Sequence, residues 1–352
     1  MEITAEIKSI SYKPLLCKTL KEIPYNEIDS LFYKQASFIL NFDDTNKFAV
    51  SWWVSAKRTR SYPYARVYDT LSFAGKKVTV IPIFKDEGKD GDRDYIQWDT
   101  ISLMSLLGVY VIISYYKDAE KSTNYAGKIT NQFFDLQQIK RELADLLSFQ
   151  SSAVHWNMAQ VEKVGEIGRH AISSYQQISS KLSIEMHSLP EAERRITELL
   201  EGKDVFKATS RGRARQAQDR ESKTTQPKEQ ISGEKAILTI KNHLGGEYFF
   251  TADEARIEGE TVVLTECKHS KKSVLPSIGD IQDGLIKMVL FTNLDTVYVD
   301  GKQYKPKAVL KLTSGIQASP SAQQRKILEL LEREAKENGF KIIYENIEDI
   351  SL

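Results

Sequence analysis

Apolar and polar positions alternate along residues 249–257 and again along 261–268, and Glu258, Gly259 and Glu260 separate the two runs. Period-two alternation on either side of a Gly-containing turn predicts an antiparallel hairpin. In the second run Val262, Leu264, Glu266 and Lys268 share one face, and Val263, Thr265 and Cys267 share the other. A carboxylate and an ammonium therefore emerge from an otherwise apolar strand face. Closing the hairpin at Gly259 brings Asp253 opposite the Glu266 region, so three charges converge.

The same reading divides the rest of the chain. Residues 37–42 and 48–54 are strand-like around a polar Asp43–Asn46 turn and predict a second hairpin. Residues 78–84 and 109–116 are apolar strands, and 97–107 between them has helical spacing, which predicts a βαβ unit with a parallel pair. Asp135 reads as an N-cap before an amphipathic helix carrying Leu136, Ile139, Leu143, Leu146 and Leu147. A long helical region over 153–182 carries an apolar seam of Val154, Met158, Val161, Ile172, Tyr175, Ile178 and Leu182, suited to the preceding helix or to a second subunit. Ser188 opens a further helix as a capping box, and Gly202 closes it. Residues 234–244 fit either a helix or a strand. After the central hairpin come a helix over 278–293, a hairpin turning at Asp300-Gly301, a helix over 321–338 stopped at Gly339, and a strand over 340–344.

Composition sets bounds on this outline. The 352 residues leave room for two or three domains, and 41% hydrophobic with 28% charged residues is ordinary for a globular protein. A net charge of +1 requires any contact with a polyanion to come from local basic patches. One such patch is the run from residue 57 to 68, where Lys57, Arg58, Arg60 and Arg66 alternate with Tyr62, Tyr64 and Tyr68 before any acid occurs. Basic and aromatic groups together suit phosphate and base contacts; the plain alternative is a sheet edge with its tyrosines in the core. A second is Arg211, Arg213 and Arg215, inside a stretch without branched aliphatic or aromatic residues that reads as a basic linker. Lys271 and Lys272 form a third, just past the central hairpin. The acidic loop 85–94 lacks the ligand spacing of a calcium loop; it reads as solvated, with Asp94 and Asp99 available to support arginines. Cys17 and Cys267 make no disulfide or metal framework, the N-terminus has no signal-peptide pattern, and no apolar run reaches membrane-spanning length. A cytoplasmic protein is the expectation.

The converging charges suggest chemistry. Buried charges demand partners, and two carboxylates, Asp253 and Glu266, with the backbone carbonyl of Cys267 form a hard-oxygen site suited to Mg²⁺. Lys268 beside them suits orientation or deprotonation of a water and neutralisation of phosphate charge, the ingredients of metal-assisted phosphodiester hydrolysis. Asp253, thirteen positions on Glu266-Cys267-Lys268, the intervening glycine and the following helix resemble the PD-(D/E)xK nuclease superfamily, which includes most type II restriction endonucleases. The resemblance spans roughly residues 231–312. It implies that Asp253 and Glu266 hold the metal and that Lys268 is the catalytic lysine. Three features depart from the family pattern: Ala252 precedes Asp253 where a proline is usual, Glu254 is charged and is itself an alternative acid, and Gln282 has no tyrosine four positions on.

The expected fold is α/β of the mixed α+β kind. It comprises an N-terminal α/β region (1–130) for DNA recognition, a helical region (131–207) for dimerisation, a basic linker (208–231) and a catalytic domain (232–352) with a PD-(D/E)xK-type mixed sheet flanked by helices. The expected function is Mg²⁺-dependent, sequence-specific cleavage of double-stranded DNA by a homodimer, with no membrane partner. The alternatives are a structure-specific repair or recombination nuclease of the same superfamily and a non-catalytic DNA-binding protein on a degenerate nuclease fold.

Overall fold

A computed structural model describes residues 1–57, 60–200 and 234–347. The chain has mixed α and β structure and divides into two compact units, one of residues 1–19 with 212–352 and one of residues 20–211. The expected boundary near residue 130 is therefore corrected at two places. Residues 131–200 pack as part of the second unit, and the first strand, β1 (Glu2–Ile7), belongs with the C-terminal part of the chain.

The 20–211 unit holds β2 (Glu22–Pro24), α1 (Ile28–Leu31), β3 (Ser37–Asn41), β4 (Lys47–Trp52), α2 (Pro63–Tyr68), β5 (Lys76–Pro82), β6 (Phe84–Asp86), β7 (Arg93–Tyr95), α3 (Trp98–Leu106), β8 (Val109–Ser114), β9 (Tyr116–Lys121) and β10 (Ile129–Phe134). Its helices continue with α4 (Leu136–Ser148), α5 (Ala153–Glu162), α6 (Val164–Leu182) and α7 (Leu189–Leu200). The main sheet runs β2-β3-β4-β5-β8. The expected hairpin is β3/β4, antiparallel, and the expected βαβ unit is β5-α3-β8, parallel with Lys77 beside Val109 and Pro82 beside Ser114. Phe32, Phe38, Trp53, Tyr68, Trp98 and Tyr116 are wholly buried in its core. Burial of each such side chain stabilises by about 1.5–3 kcal/mol.

The long helix expected over 153–182 is two helices meeting at Lys163, and its apolar seam is used inside the chain. Ile172, Tyr175 and Ile178 are buried, with Tyr175 stacked on Phe84 at 5.0 Å. Val161, Ile172, Tyr175 and Ile178 of the seam are thus used within the chain, while Val154, Met158 and Leu182 are half-exposed.

The other unit adds β11 (Glu234–Asn242), β12 (Glu247–Glu258), β13 (Thr261–Ser270), α8 (Ile278–Phe291), β14 (Thr296–Val299), β15 (Lys302–Ala318), α9 (Ala322–Asn338) and β16 (Lys341–Ile347) to β1. Residues 234–242 are thus a strand. The sheet order is β13-β12-β11-β1-β14-β15-β16, and β13 also pairs with β15. Hydrogen-bonded neighbours therefore form a closed circuit from β13 through β12, β11, β1, β14 and β15 back to β13. β1 lies parallel to β11 and antiparallel to β14, which anchors the chain's beginning between two strands encoded more than 200 residues later.

Turns follow their residues. Gly259 has φ 61° in the two-residue turn between β12 and β13, and Asp300 and Gly301 both take positive φ between β14 and β15. Helix α9 starts at a capping box in which Ser321 and Gln324 bond each other's backbone, and stops at Gly339, φ 75°. Between β13 and β15 the chain crosses over through α8 and returns parallel, with Glu266 beside Leu310 and Lys268 beside Leu312.

Candidate functional site

Residues of β12 and β13 pair antiparallel from Glu258 with Thr261 to Glu254 with Thr265. One further step of that register sets Asp253 opposite Glu266. Here the backbone ladder gives way to a side chain: the Cys267 N–H donates to Asp253 Oδ2 at 2.8 Å. On its other edge β12 has an irregularity against β11, where the partner jumps from Ala255 to Ala252 while β11 advances only from Glu234 to Ala236. The extra residue falls at Asp253 and Glu254, and a bulge at that point re-aims the side chains it carries.

The bulge separates the two acids. The field of the Asp253 carboxylate reaches Lys287, whereas that of Glu254 reaches Lys311, and Glu254 Oε1 is 3.8 Å from Arg256. Lys311 is the register partner of Cys267, on the face of β13 opposite Glu266 and Lys268. Glu254, the alternative acid, thus does not join the cluster around Glu266, and the structure corrects that expectation.

Glu266 is the centre of this cluster. Its carboxylate is buried, with Lys268 Nζ 3.0 Å from Oε1 and Lys287 Nζ 2.7 Å from Oε2. Lys268 also reaches Asp283 at 2.9 Å, and Lys287 donates to the Thr251 carbonyl at 2.9 Å. Burial pushes the Glu266 carboxyl up, but Lys287 and then Lys268 more than reverse this and hold it below its ordinary value. Burial pulls the Lys268 ammonium down, and Glu266 and then Asp283 reverse it, so it stays protonated well above its ordinary range. For Lys287 burial is likewise opposed, by Glu266 and then Asp253, with the pKa raised. Lys268 is therefore held as a cation between two carboxylates in this arrangement.

Asp283 and Lys287 were not legible as site residues. They sit four apart on α8, a largely apolar helix whose Ile281, Leu285, Ile286, Met288 and Val289 are buried. Two opposite charges at that spacing lie on one face, and in a helix this apolar they signal a buried polar neighbour. Gly284 lets the helix come close: a Cβ there would stand 3.0 Å from Leu310 Cδ1 and 3.1 Å from Lys268 Cε.

Asp253 and Glu266 carry hard carboxylate oxygens on adjacent strands, the Cys267 N–H donates to Asp253, and the three carboxylates Asp253, Glu266 and Asp283 against the ammoniums of Lys268 and Lys287 leave one net negative charge. Among the described residues no group of three or more His, Cys, Asp or Glu side chains is arranged to hold a metal. Both Glu266 oxygens are met by lysine ammoniums, so the charges of this cluster are balanced among its own side chains.

Of the expected DNA-contacting residues, Lys57, Lys271 and Lys272 are exposed. Arg58, Arg211, Arg213 and Arg215 lie outside the described residues. Arg60, Tyr64 and Arg66 are engaged within the 20–211 unit. Arg60 pairs with Glu87 at 2.5 Å, with Asp94 at 3.0 Å and with Asp92. The acidic loop is thus held by an arginine, and Asp94 supports Arg60 while also accepting from Ser55 at 2.8 Å. Arg66 donates to the Trp52 carbonyl at 2.8 Å and lies 4.4 Å over the Trp52 ring. Pro63 begins a short helix, and Tyr64, Val67 and Tyr68 at helical spacing turn into the core. Tyr64 meets Trp53 edge-on at 5.8 Å and is buried, which corrects its expected role at a nucleic-acid surface; Tyr62 is exposed.

No protein-family model, curated protein or solved structure matches this chain at a significant level. No described helix is long and apolar enough to cross a membrane.

Proposed function

We propose that this chain is a divalent-metal-dependent endonuclease that hydrolyses double-stranded DNA, in the manner of a type II restriction enzyme. The observation that carries the reading is the grouping of Asp253, Glu266 and Lys268 on adjacent strands, with an ordered set of counter-charges from α8 behind them. The resemblance to PD-(D/E)xK nucleases supplies the reaction class. The strand succession β11-β12-β13, the α8 crossover and parallel β15 agree with the mixed sheet expected of such a core.

In this reading Asp253, Glu266 and the Cys267 carbonyl hold Mg²⁺, which when bound supplies positive charge to the scissile phosphate and lowers the pKa of water. The chain's own residues do the rest. Asp253, tied to the Cys267 N–H, fixes the spacing of the two strands at the point where the phosphate is received. The Lys268 ammonium, held between Glu266 and Asp283, lies beside the acids with a charge that opposes the one developing on the phosphate oxygens. Lys271 and Lys272, exposed just beyond the end of β13, attract the flanking backbone. The 20–211 unit is in this reading the carrier of sequence recognition, and cutting both strands of a symmetric site calls for two copies.

Incubation of the full chain with phage DNA and Mg²⁺, with and without chelator, followed by sequencing of fragment ends, tests the reading. Discrete fragments with a common end sequence, lost with chelator and with Asp253→Ala, are expected. Cleavage confined to flaps, junctions or ends would move the assignment to a repair-type nuclease. DNA binding without cleavage under any divalent ion, unaffected by Asp253→Ala, would replace it with a non-catalytic binding protein.

A further inference from the structure

Among the described strands, β9 and β10 pair only with each other, antiparallel with Lys121 beside Ile129, and form a two-stranded ribbon in the 20–211 unit. The base of the ribbon is anchored. Phe134 stacks on Tyr116 at 4.4 Å, Ala119 and Ile129 are buried, and the Ile129 N–H donates to the Glu87 carbonyl at 3.0 Å. Its tip, residues 122–128, is a tight loop in which the Ser122 N–H donates to the Lys128 carbonyl at 2.9 Å and the Lys128 N–H to the Tyr125 carbonyl at 3.1 Å. Ser122 Oγ accepts from the N–H groups of Asn124 and Tyr125 at 3.3 and 3.2 Å. An asparagine in such a loop ordinarily serves the turn with its own side chain. Here Ser122 does so, and Asn124 and Tyr125 are left exposed. Tyr125 is 62% exposed, with Lys128 Nζ 5.0 Å from its ring centre. From 121 to 128 the chain carries Lys121 and Lys128 and no acid. Of the acids beside it, Asp118 pairs with Lys181 at 2.8 Å, Glu120 accepts from Asn131 at 2.7 Å, and Asp90 packs against Gly127.

We propose that this ribbon enters the major groove of duplex DNA, where Asn124 and Tyr125 read base edges and Lys121 and Lys128 meet the flanking phosphates. The inference deepens the reading of the chain as a sequence-specific nuclease and rests on it. Two strands about 4.8 Å apart fit a groove about 12 Å wide, and a two-stranded ribbon is one of the elements that this groove admits. An asparagine amide offers a donor and an acceptor that match N7 and N6 of adenine, and an aromatic ring suits contact with a thymine methyl group. The two lysines supply the sequence-independent share of the affinity. Arg60, Tyr64 and Arg66 of the basic and aromatic run are engaged inside the same unit, so base reading falls to side chains that the fold leaves exposed.

The test is selection of bound duplexes from a random-sequence library by the full chain in buffer containing chelator, for the parent, Asn124→Ala, Tyr125→Ala and the pair Lys121→Ala with Lys128→Ala. The parent should select a common sequence. Asn124→Ala should lose the preference for A·T at one position by ~10-fold or more, and Tyr125→Ala should lose it at a neighbouring one. The lysine changes should weaken binding to all sequences alike and reduce the slope of log affinity against log salt by about 1 for each lysine. Unchanged thermal melting of each variant excludes a fold defect. As a second measurement, a benzophenone side chain placed at Thr123 should crosslink to the selected duplex. No common sequence in the parent, the same sequence in all variants, retention of single-stranded DNA in preference to duplex, or no crosslink overturns the proposal. Cleavage in Mg²⁺ is scored separately. A base preference that depends on Asn124, with no cleavage by any form, sinks the nuclease reading and leaves the ribbon standing, whereas cleavage at a common sequence that ignores every change at the tip does the reverse.

Discussion

The main-chain N–H of Cys267 is bonded to the side chain of Asp253 at 2.8 Å, at the first position where the β12/β13 ladder no longer pairs backbone with backbone. Asp253 is thus both a charge in the cluster and a structural tie. The two roles separate in variants. Asp253→Asn keeps an acceptor for Cys267, and its unfolding free energy should stay within about 1 kcal/mol of the parent. Asp253→Ala loses a hydrogen bond to an ionised group and should cost about 1.5–3 kcal/mol in urea unfolding. Both should lose Mg²⁺-dependent cleavage by ~100-fold or more, since even partners outside the ligand shell cost up to that much. An asparagine variant that cuts DNA at the parental rate would remove Asp253 from the site.

Glu266 makes stability depend on acid. Burial raises its pKa, but Lys287 and Lys268 together bring the folded value below the ordinary 4.5. A group depressed on folding contributes stability that is complete above its unfolded pKa and is lost as pH falls through the folded one. Urea midpoints of the parent should therefore decline below about pH 4.5, and Glu266→Gln should lack that component of the decline. At neutral pH Glu266→Ala leaves two buried ammoniums facing each other and should cost about 3–5 kcal/mol, more than the glutamine variant. Equal losses for the two at neutral pH would mean that charge is not what Glu266 contributes.

Much of this site was legible because it is local. The 249–268 hairpin is set by its alternation and by Gly259, and one strand face brings Glu266 and Lys268 together whatever the rest of the chain does. The β5-α3-β8 unit and the Ser321 capping box were legible for the same reason. What escaped depends on contacts distant in sequence. No local pattern tells that residues 2–7 lie between β11 and β14, or which arginine the carboxylates of the 87–94 loop support. Within the run from 57 to 68, Pro63 and the i, i+3, i+4 spacing of Tyr64, Val67 and Tyr68 describe a helix facing the core, whereas Lys57 and Tyr62 stay exposed. The choice between Asp253 and Glu254 needed the bulge on β12, which alternation alone does not disclose.

Gly284 offers a change that touches the site without removing a charge. Alanine in a helix interior is favoured over glycine by about 1 kcal/mol. Its Cβ would stand 3.0 Å from Leu310 Cδ1 and 3.1 Å from Lys268 Cε, so both must give by a few tenths of an ångström. The helix gain and the crowding should nearly offset, leaving unfolding free energy within about 1 kcal/mol of the parent. Displacement of the Lys268 ammonium should lower single-turnover cleavage by about tenfold, given that misplacement by 1 Å can cost ~100-fold. Unchanged cleavage in Gly284→Ala would show that Lys268 need not stay where Asp283 and Glu266 hold it.

The last prediction concerns the edge of the other sheet. β8 is the terminal strand of β2-β3-β4-β5-β8, and its outward backbone groups are met by side chains. Asn157 accepts the Val111 N–H at 2.7 Å and donates to the Val109 carbonyl at 3.0 Å. Trp156 donates to the Val111 carbonyl at 2.8 Å, Gln160 accepts the Ile113 N–H at 3.2 Å, and Gln138 donates to the Ile113 carbonyl at 3.1 Å. An exposed strand edge invites pairing with another chain, and here α4 and α5 close it. Asn157→Leu keeps the volume roughly constant, Asn157 being wholly buried, but strips two backbone groups of their partners. At about 1–3 kcal/mol for each unsatisfied group, it should lower the unfolding free energy by about 2–6 kcal/mol. Light scattering should show concentration-dependent self-association of Asn157→Leu that the parent lacks. A leucine variant as stable as the parent and unchanged in light scattering would mean that β8 does not rely on these side chains for its cover.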